Sequence, residues 1–139
     1  MLSILALDPG ESTGWAFRTA EGGALGGTCP KDHLAVAQLI EDLNPDIVVL
    51  ERFNLYPHMS KSLAWNSFYP CEVIGVIKLI AMRKGMTLVE QAPSVKKYYG
   101  GAGLDWEEIR NTSDRCTEHT KDAYMHLRYF ERNGLKKIK

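Results

Sequence analysis

The sequence predicts an α/β fold: a mixed five-stranded sheet, its first three strands antiparallel, flanked by helices. Three observations predict it. The runs Ile4-Leu5-Ala6-Leu7 and Ile47-Val48-Val49-Leu50 are apolar throughout, as strands buried on both faces are. Between them, two more strand-length segments flank the turn signal Glu21-Gly22-Gly23. From residue 31 onward, helical and strand periods alternate, which is the pattern of a sheet covered by helices.

Taken in order, residues 2–8 form the first strand, and Thr13–Arg18 and Ala24–Cys29 the second and third. Lys31–Leu43 carries Leu34, Val36, Leu39, Ile40 and Leu43 at helical spacing and stops before Pro45. Asp46–Leu50 is the fourth strand, followed by a polar and aromatic loop over Arg52–Ser60. A long helix covers 61–84 and ends at Gly85, with Pro70 marking either a kink or a late start. Met86–Glu90 is the fifth strand. Pro93–Tyr99 is a short helix, 105–111 another, and Thr117–Asn133 the last, stopped by Gly134.

A chain of 139 residues fits one domain, 1–139, with no linker, repeat or low-complexity tract. Its apolar runs are strand length, far short of the roughly 20 residues that span a bilayer. Without a basic, apolar leader after Met1, a cytoplasmic protein with no membrane partner is expected. Cys29, Cys71 and Cys116 are scattered, which suits reduced thiols rather than disulfides or zinc. Net charge is zero but uneven. Residues 1–60 hold three basic against eight acidic residues, and 61–139 fourteen against nine. A basic binding face folded against an acidic catalytic half would give this asymmetry, as would an ordinary solvated surface.

Four residues stand out as candidate chemistry. Asp8 and Glu51 each end a buried apolar run, and His119 and Asp122 lie three apart on one helix face. The plain reading of Asp8 is a turn residue, yet Pro9-Gly10 makes that turn by itself. Glu51 could be a surface carboxylate paired with Arg52, and Asp122 one partner of Arg128 or Lys121. His119 could be a polar helix residue with no metal role. Carboxylates from separate elements converging at sheet ends instead make a divalent-metal site for phosphodiester cleavage.

Leu5-Ala6-Leu7-Asp8-Pro9-Gly10 with Thr13-Gly14-Trp15-Ala16 resembles the opening of RuvC-type Holliday junction resolvases, as does Asn44-Pro45-Asp46 leading to Val49-Leu50-Glu51. Gly75-Val76-Ile77 with Pro93-Ser94-Val95-Lys96-Lys97 resembles their middle section, and His119-Thr120-Lys121-Asp122-Ala123 their closing motif. The likeness implies a ribonuclease H-like fold, whose element order the chain shares, and a site of Asp8, Glu51, His119 and Asp122. It also implies two Mg²⁺ or Mn²⁺ ions per site, and paired nicks in four-way DNA junctions that leave 5′ phosphates. Such enzymes carry Asp or His three residues before the final Asp, and this chain has the His form. Imidazole is softer than Mg²⁺ usually selects, so His119 would favour Mn²⁺ or transfer protons.

Phe53 and Tyr56 match the loop whose aromatic stacks at the junction, though loop aromatics are often lids over the core. Lys96 and Lys97, beside Tyr98-Tyr99-Gly100-Gly101, suit phosphate contact. Lys121 either touches the scissile phosphate or is solvated. Symmetric nicking implies a homodimer, with the helix around Trp65–Ile80 as its surface and Trp65, Phe68 and Tyr69 as anchors or core. The short chain suits a compact phage-type enzyme acting in the host cytoplasm on recombination, repair or replication intermediates. Beyond the metal, no small-molecule cofactor is expected. The alternatives are a nuclease of the same fold acting on flaps, forks or RNA, a junction-binding protein without catalysis, and one lobe of an actin-like ATPase, which Asp8-Pro9-Gly10 also resembles.

Overall fold

The computed structural model describes residues 1–52, 69–98, 106–113 and 115–138. Five strands, β1 (Ile4–Asp8), β2 (Thr13–Arg18), β3 (Ala24–Cys29), β4 (Ile47–Glu51) and β5 (Thr87–Gln91), form one sheet in the order β3-β2-β1-β4-β5. β1 to β3 are an antiparallel meander, while β4 and β5 lie parallel to β1. The helices are α1 (His33–Leu43), α2 (Tyr69–Lys84), α3 (Glu107–Arg110), α4 (Glu118–Tyr129) and α5 (Leu135–Ile138), with a 3₁₀ segment over Pro93–Tyr98. Among the described residues, no helix is long and apolar enough to cross a membrane.

The sheet has a core on each face. Leu5, Leu7, Phe17, Val48 and Leu50 pack on Val36 and Ile40 of α1 and Val73, Ile77 and Ile80 of α2. Ile4, Ala6, Ala16, Ile47 and Val49 pack on Ile109, Ala123, Tyr124, Leu127 and Phe130. Each buried Val, Leu, Ile or Phe among them contributes roughly 1.5–3 kcal/mol by leaving water. Burial on both faces is why β1 and β4 read as unbroken apolar runs. Their parallel register is pinned at the start: Ser3 N–H donates to Asp46 Oδ2 at 2.8 Å, and Asp46 N–H returns a bond to Ser3 Oγ at 3.0 Å.

Local signals explain the ends. Asp32 caps α1, and Asn44 takes the left-handed conformation at its close. Gly85, at φ +69, follows α2. Pro70 sits in the first turn of α2, where its missing N–H costs nothing. Residues 61–68 of the expected long helix lie outside the described residues.

The short helix expected over Pro93–Tyr99 is a 3₁₀ helix over Pro93–Tyr98. One expectation is corrected. The last helix does not stop at Gly134. α4 widens into a π turn over Phe130–Gly134 and continues as α5. Gly134 makes room there: a Cβ on it would lie 2.4 Å from Phe130 Cδ1. Of the three free cysteines, Cys29 is buried, Cys71 exposed and Cys116 intermediate.

Candidate metal centre

Strand side chains alternate sides, so position along a strand decides which face a residue joins. Ile4 and Ala6 face α4, and Asp8 follows them on the same side; Ile47 and Val49 do the same for Glu51, and Val89 for Gln91. Register aligns the ends, since Leu7 pairs with Leu50 and Glu51 with Gln91. Three parallel strands therefore present Asp8, Glu51 and Gln91 in a row beneath α4.

The first turn of α4 is held against this row. Thr117 caps the helix, and Thr120 Oγ1 accepts from Thr117 N–H at 2.9 Å while donating to Gly27 O at 2.8 Å. Thr28 Oγ1 lies 3.0 Å and 3.1 Å from the two threonine hydroxyls. Gly14, paired with Asp8 across β1 and β2, lets the helix approach: a Cβ there would lie 2.1 Å from the His119 carbonyl oxygen. Only glycine permits that contact, and it brings His119 over Asp8.

Asp8, His119 and Asp122 consequently offer ligand atoms within 4.8 Å of one another. His119 Nδ1 stands 3.9 Å from Asp8 Oδ2. Asp8 and Glu51 share a hydrogen bond. Lys96 comes in from the 3₁₀ segment, with Nζ 3.2 Å from Glu51 Oε2 and 3.7 Å from Asp122 Oδ2. Glu51 Oε2 also lies 3.0 Å from Nε2 of His126, a fully buried ring.

Three acids around one lysine leave negative charge in excess. Burial, the charge of Glu51 and the bond to it push the Asp8 carboxyl well above the ordinary range, with Lys96 opposing and Asp122 adding. Burial also acts against the Glu51 charge, but hydrogen bonds from His126 and Asp8, with Lys96, hold that carboxyl below the usual range. Asp8 is thus the proton donor of the pair. Burial disfavours the Lys96 ammonium, yet Glu51, Asp8 and Asp122 together keep its pKa raised. Crowded oxygen donors of this kind fit a hard divalent cation, which relieves their repulsion.

The chain is 34% identical over 113 residues to the crossover junction endodeoxyribonuclease RuvC of Neorickettsia sennetsu, covering 67% of this chain and 64% of that relative. Over that stretch the chain resembles the RuvC family. It spans just under two thirds of the relative's length. No family model matches it. Structurally, the chain is similar to Thermus thermophilus RuvC in complex with a Holliday junction substrate (TM-score 0.64, 16% identity, 96% of this chain and 97% of the other). The fowlpox virus Holliday junction resolvase matches at TM-score 0.59 and 14% identity, over 94% of this chain and 99% of that one. The yeast mitochondrial Holliday junction resolvase matches at 0.56 and 11%, over 93% and 77%. At these identities the solved structures establish the ribonuclease H-like fold.

The fold gathers Asp8, Glu51, His119 and Asp122 at one end of the strands, and the basic candidates fall in different surroundings. Lys96 sits among the carboxylates rather than on an open phosphate-facing surface. Lys97 is exposed. Lys121 Nζ lies 5.9 Å from the Trp106 ring centroid. Asp122 faces Lys96 instead of making the surface contact with Arg128 or Lys121 that its neighbours allowed. Tyr69 is buried in the α1–α2 core and offers no free anchor, while Phe53, Tyr56, Trp65 and Phe68 lie outside the described residues. His126 and Gln91 were missed by sequence reasoning. Spacing held a signal for His126, which lies seven residues after His119 and four after Asp122, on the same helix face.

Proposed function

We propose that this chain is a metal-dependent endonuclease that cuts four-way DNA junctions by paired symmetric nicks, leaving 5′ phosphates. The observation that carries it is the convergence of Asp8, His119 and Asp122, with Glu51 hydrogen-bonded to Asp8, in a chain that resembles the RuvC family. Asp8, Asp122 and His119 would hold one Mg²⁺ or Mn²⁺ ion, and Asp8 with Glu51 would hold a second. Such ions, when bound, activate a water and steady the leaving 3′ oxygen. The protein's part is to hold the acids rigidly on strand ends and the first turns of α4. Lys96 balances part of their charge and would exchange carboxylates for the scissile phosphate when DNA arrives. Lys97 would meet the backbone, and Phe53 and Tyr56 would stack at the branch point.

Solved relatives carrying a Holliday junction, from T. thermophilus and fowlpox virus, support branched DNA as the substrate class. Two coordinated nicks require two such sites, so the working form would be a homodimer acting in the cytoplasm on recombination, repair or replication intermediates. The test is cleavage of a labelled four-way junction beside a matched duplex and a flap, with Mg²⁺, Mn²⁺ or EDTA. Paired nicks in the junction alone, lost in EDTA, are expected. Equal cutting of all three substrates would retain the metal nuclease and overturn its junction selectivity.

A further inference from the structure

We infer that His126, itself held by Gln91, is the positioning residue that presents Glu51 to the divalent cation; this rests on the assignment of Glu51 as a ligand above. The Gln91 amide nitrogen lies 3.1 Å from the His126 carbonyl oxygen and 3.0 Å from Nδ1 of its ring. A carbonyl only accepts, so the amide must turn its NH₂ this way, and its two hydrogens then serve the carbonyl and Nδ1. Nδ1 is therefore the acceptor, and the ring proton sits on Nε2, where it donates to Glu51 Oε2 at 3.0 Å.

Lys96 Nζ meets the same oxygen, Oε2, so His126 and Lys96 together fix one oxygen of the Glu51 carboxylate. With both nitrogens engaged and the ring fully buried, His126 is neither a free ligand nor a proton shuttle. Its neighbours along α4, Ala123 and Leu127, fill comparable space with apolar atoms. A satisfied polar relay in their midst fixes direction as well as volume. Gln91 belongs to the same device because it is the β5 residue paired with Glu51, so the β4–β5 register sets both beneath His126.

The test compares Mn²⁺ affinity without DNA for wild type, His126→Leu, His126→Gln and Glu51→Gln, with circular dichroism in EDTA to monitor the fold. His126→Leu should lose about 10–100-fold in affinity, approaching Glu51→Gln. His126→Gln keeps an N–H donor near Nε2 and should restore most of the loss. Junction cleavage should show the same order in kcat, recovering at high Mn²⁺, with KM for the junction unchanged. Wild-type affinity in folded His126→Leu, alongside a weakened Glu51→Gln, overturns the positioning role and leaves the nuclease reading standing. Absence of Mn²⁺ binding by the wild type overturns both. Should His126→Leu fail to fold, His126→Gln and ¹⁵N spectra of the wild-type ring decide. A proton on Nε2 together with retained Mn²⁺ affinity in His126→Gln supports the role; a proton on Nδ1, or a His126→Gln as weak as Glu51→Gln, overturns it.

Discussion

The α4 face of the sheet carries two clusters of charge, one at each end of the strands, and they are built on opposite rules. At one end, Arg18 donates from Nε to Glu131 at 2.9 Å and from its terminal nitrogens to Glu108, while Tyr124 O–H donates to Glu108 at 2.5 Å. Arg128 adds a second cation, 3.3 Å from Glu131. Two cations meet two acids. The bond to Glu108 raises the Arg18 guanidinium further, and that from Arg18 holds Glu108 low, so each charge stabilises the other. At the other end, Asp8, Glu51 and Asp122 share Lys96, and Asp8 is left with a carboxyl that resists ionising. A charge cluster that completes itself holds a fold together. One that stays incomplete is where function is expected, because only something from outside can complete it.

The comparison can be broken at the incomplete end first. Asp8→Asn, Glu51→Gln or Asp122→Asn should lower junction cleavage by roughly a thousandfold or more, since charge stabilisation of several kcal/mol is removed at about 1.4 kcal/mol per tenfold. Junction affinity measured in EDTA should persist. At the complete end, Arg18→Met should leave activity per folded molecule unchanged. It should cost about 2–3 kcal/mol in urea unfolding, below the usual figure for a buried pair because Glu108 keeps part of its surface in water.

A subtler contrast is in pH. Asp8 has a raised carboxyl in the folded state, so the metal-free protein binds an extra proton between the ordinary carboxylate range and the raised value. Stability present at low pH is lost as pH rises through that window, and a divalent cation should remove the loss. Asp8→Asn should therefore melt above wild type in EDTA at alkaline pH, and this advantage should vanish in acid. The smallest effect expected is at Lys121, which stands over Trp106. Lys121→Ala should change stability by about 0.5–1 kcal/mol or less and leave the cleavage rate as it was.

Much of the sheet was legible because strand burial writes itself into composition. The apolar runs ending at Asp8 and Glu51 needed little more than their length, and β2 and β3 fall where residues 13–18 and 24–29 placed them. The strand-end positions of Asp8 and Glu51 were legible for a related reason: a carboxylate after a fully apolar strand has no packing role. Gln91 and His126 were not, because each is an ordinary polar residue until the β4–β5 register and α4 bring them together. The contact of Lys96 with Glu51 was not legible either, because nothing local shows that the 3₁₀ segment carries it back to the end of β4. Gly134 read as a stop because its use, making room for Phe130 in a π turn, depends on packing rather than on backbone preference.

The most direct test of the incomplete cluster is calorimetric titration of Mn²⁺ into the wild type, Asp8→Asn and Arg18→Met near pH 7, in buffers of different ionisation enthalpy. Binding to the wild type and to Arg18→Met should release about one proton from the Asp8–Glu51 pair, and Asp8→Asn should release none while binding more weakly. Mn²⁺ uptake without proton release, or uptake that Asp8→Asn leaves unchanged, would contradict the claim that the cation completes this cluster.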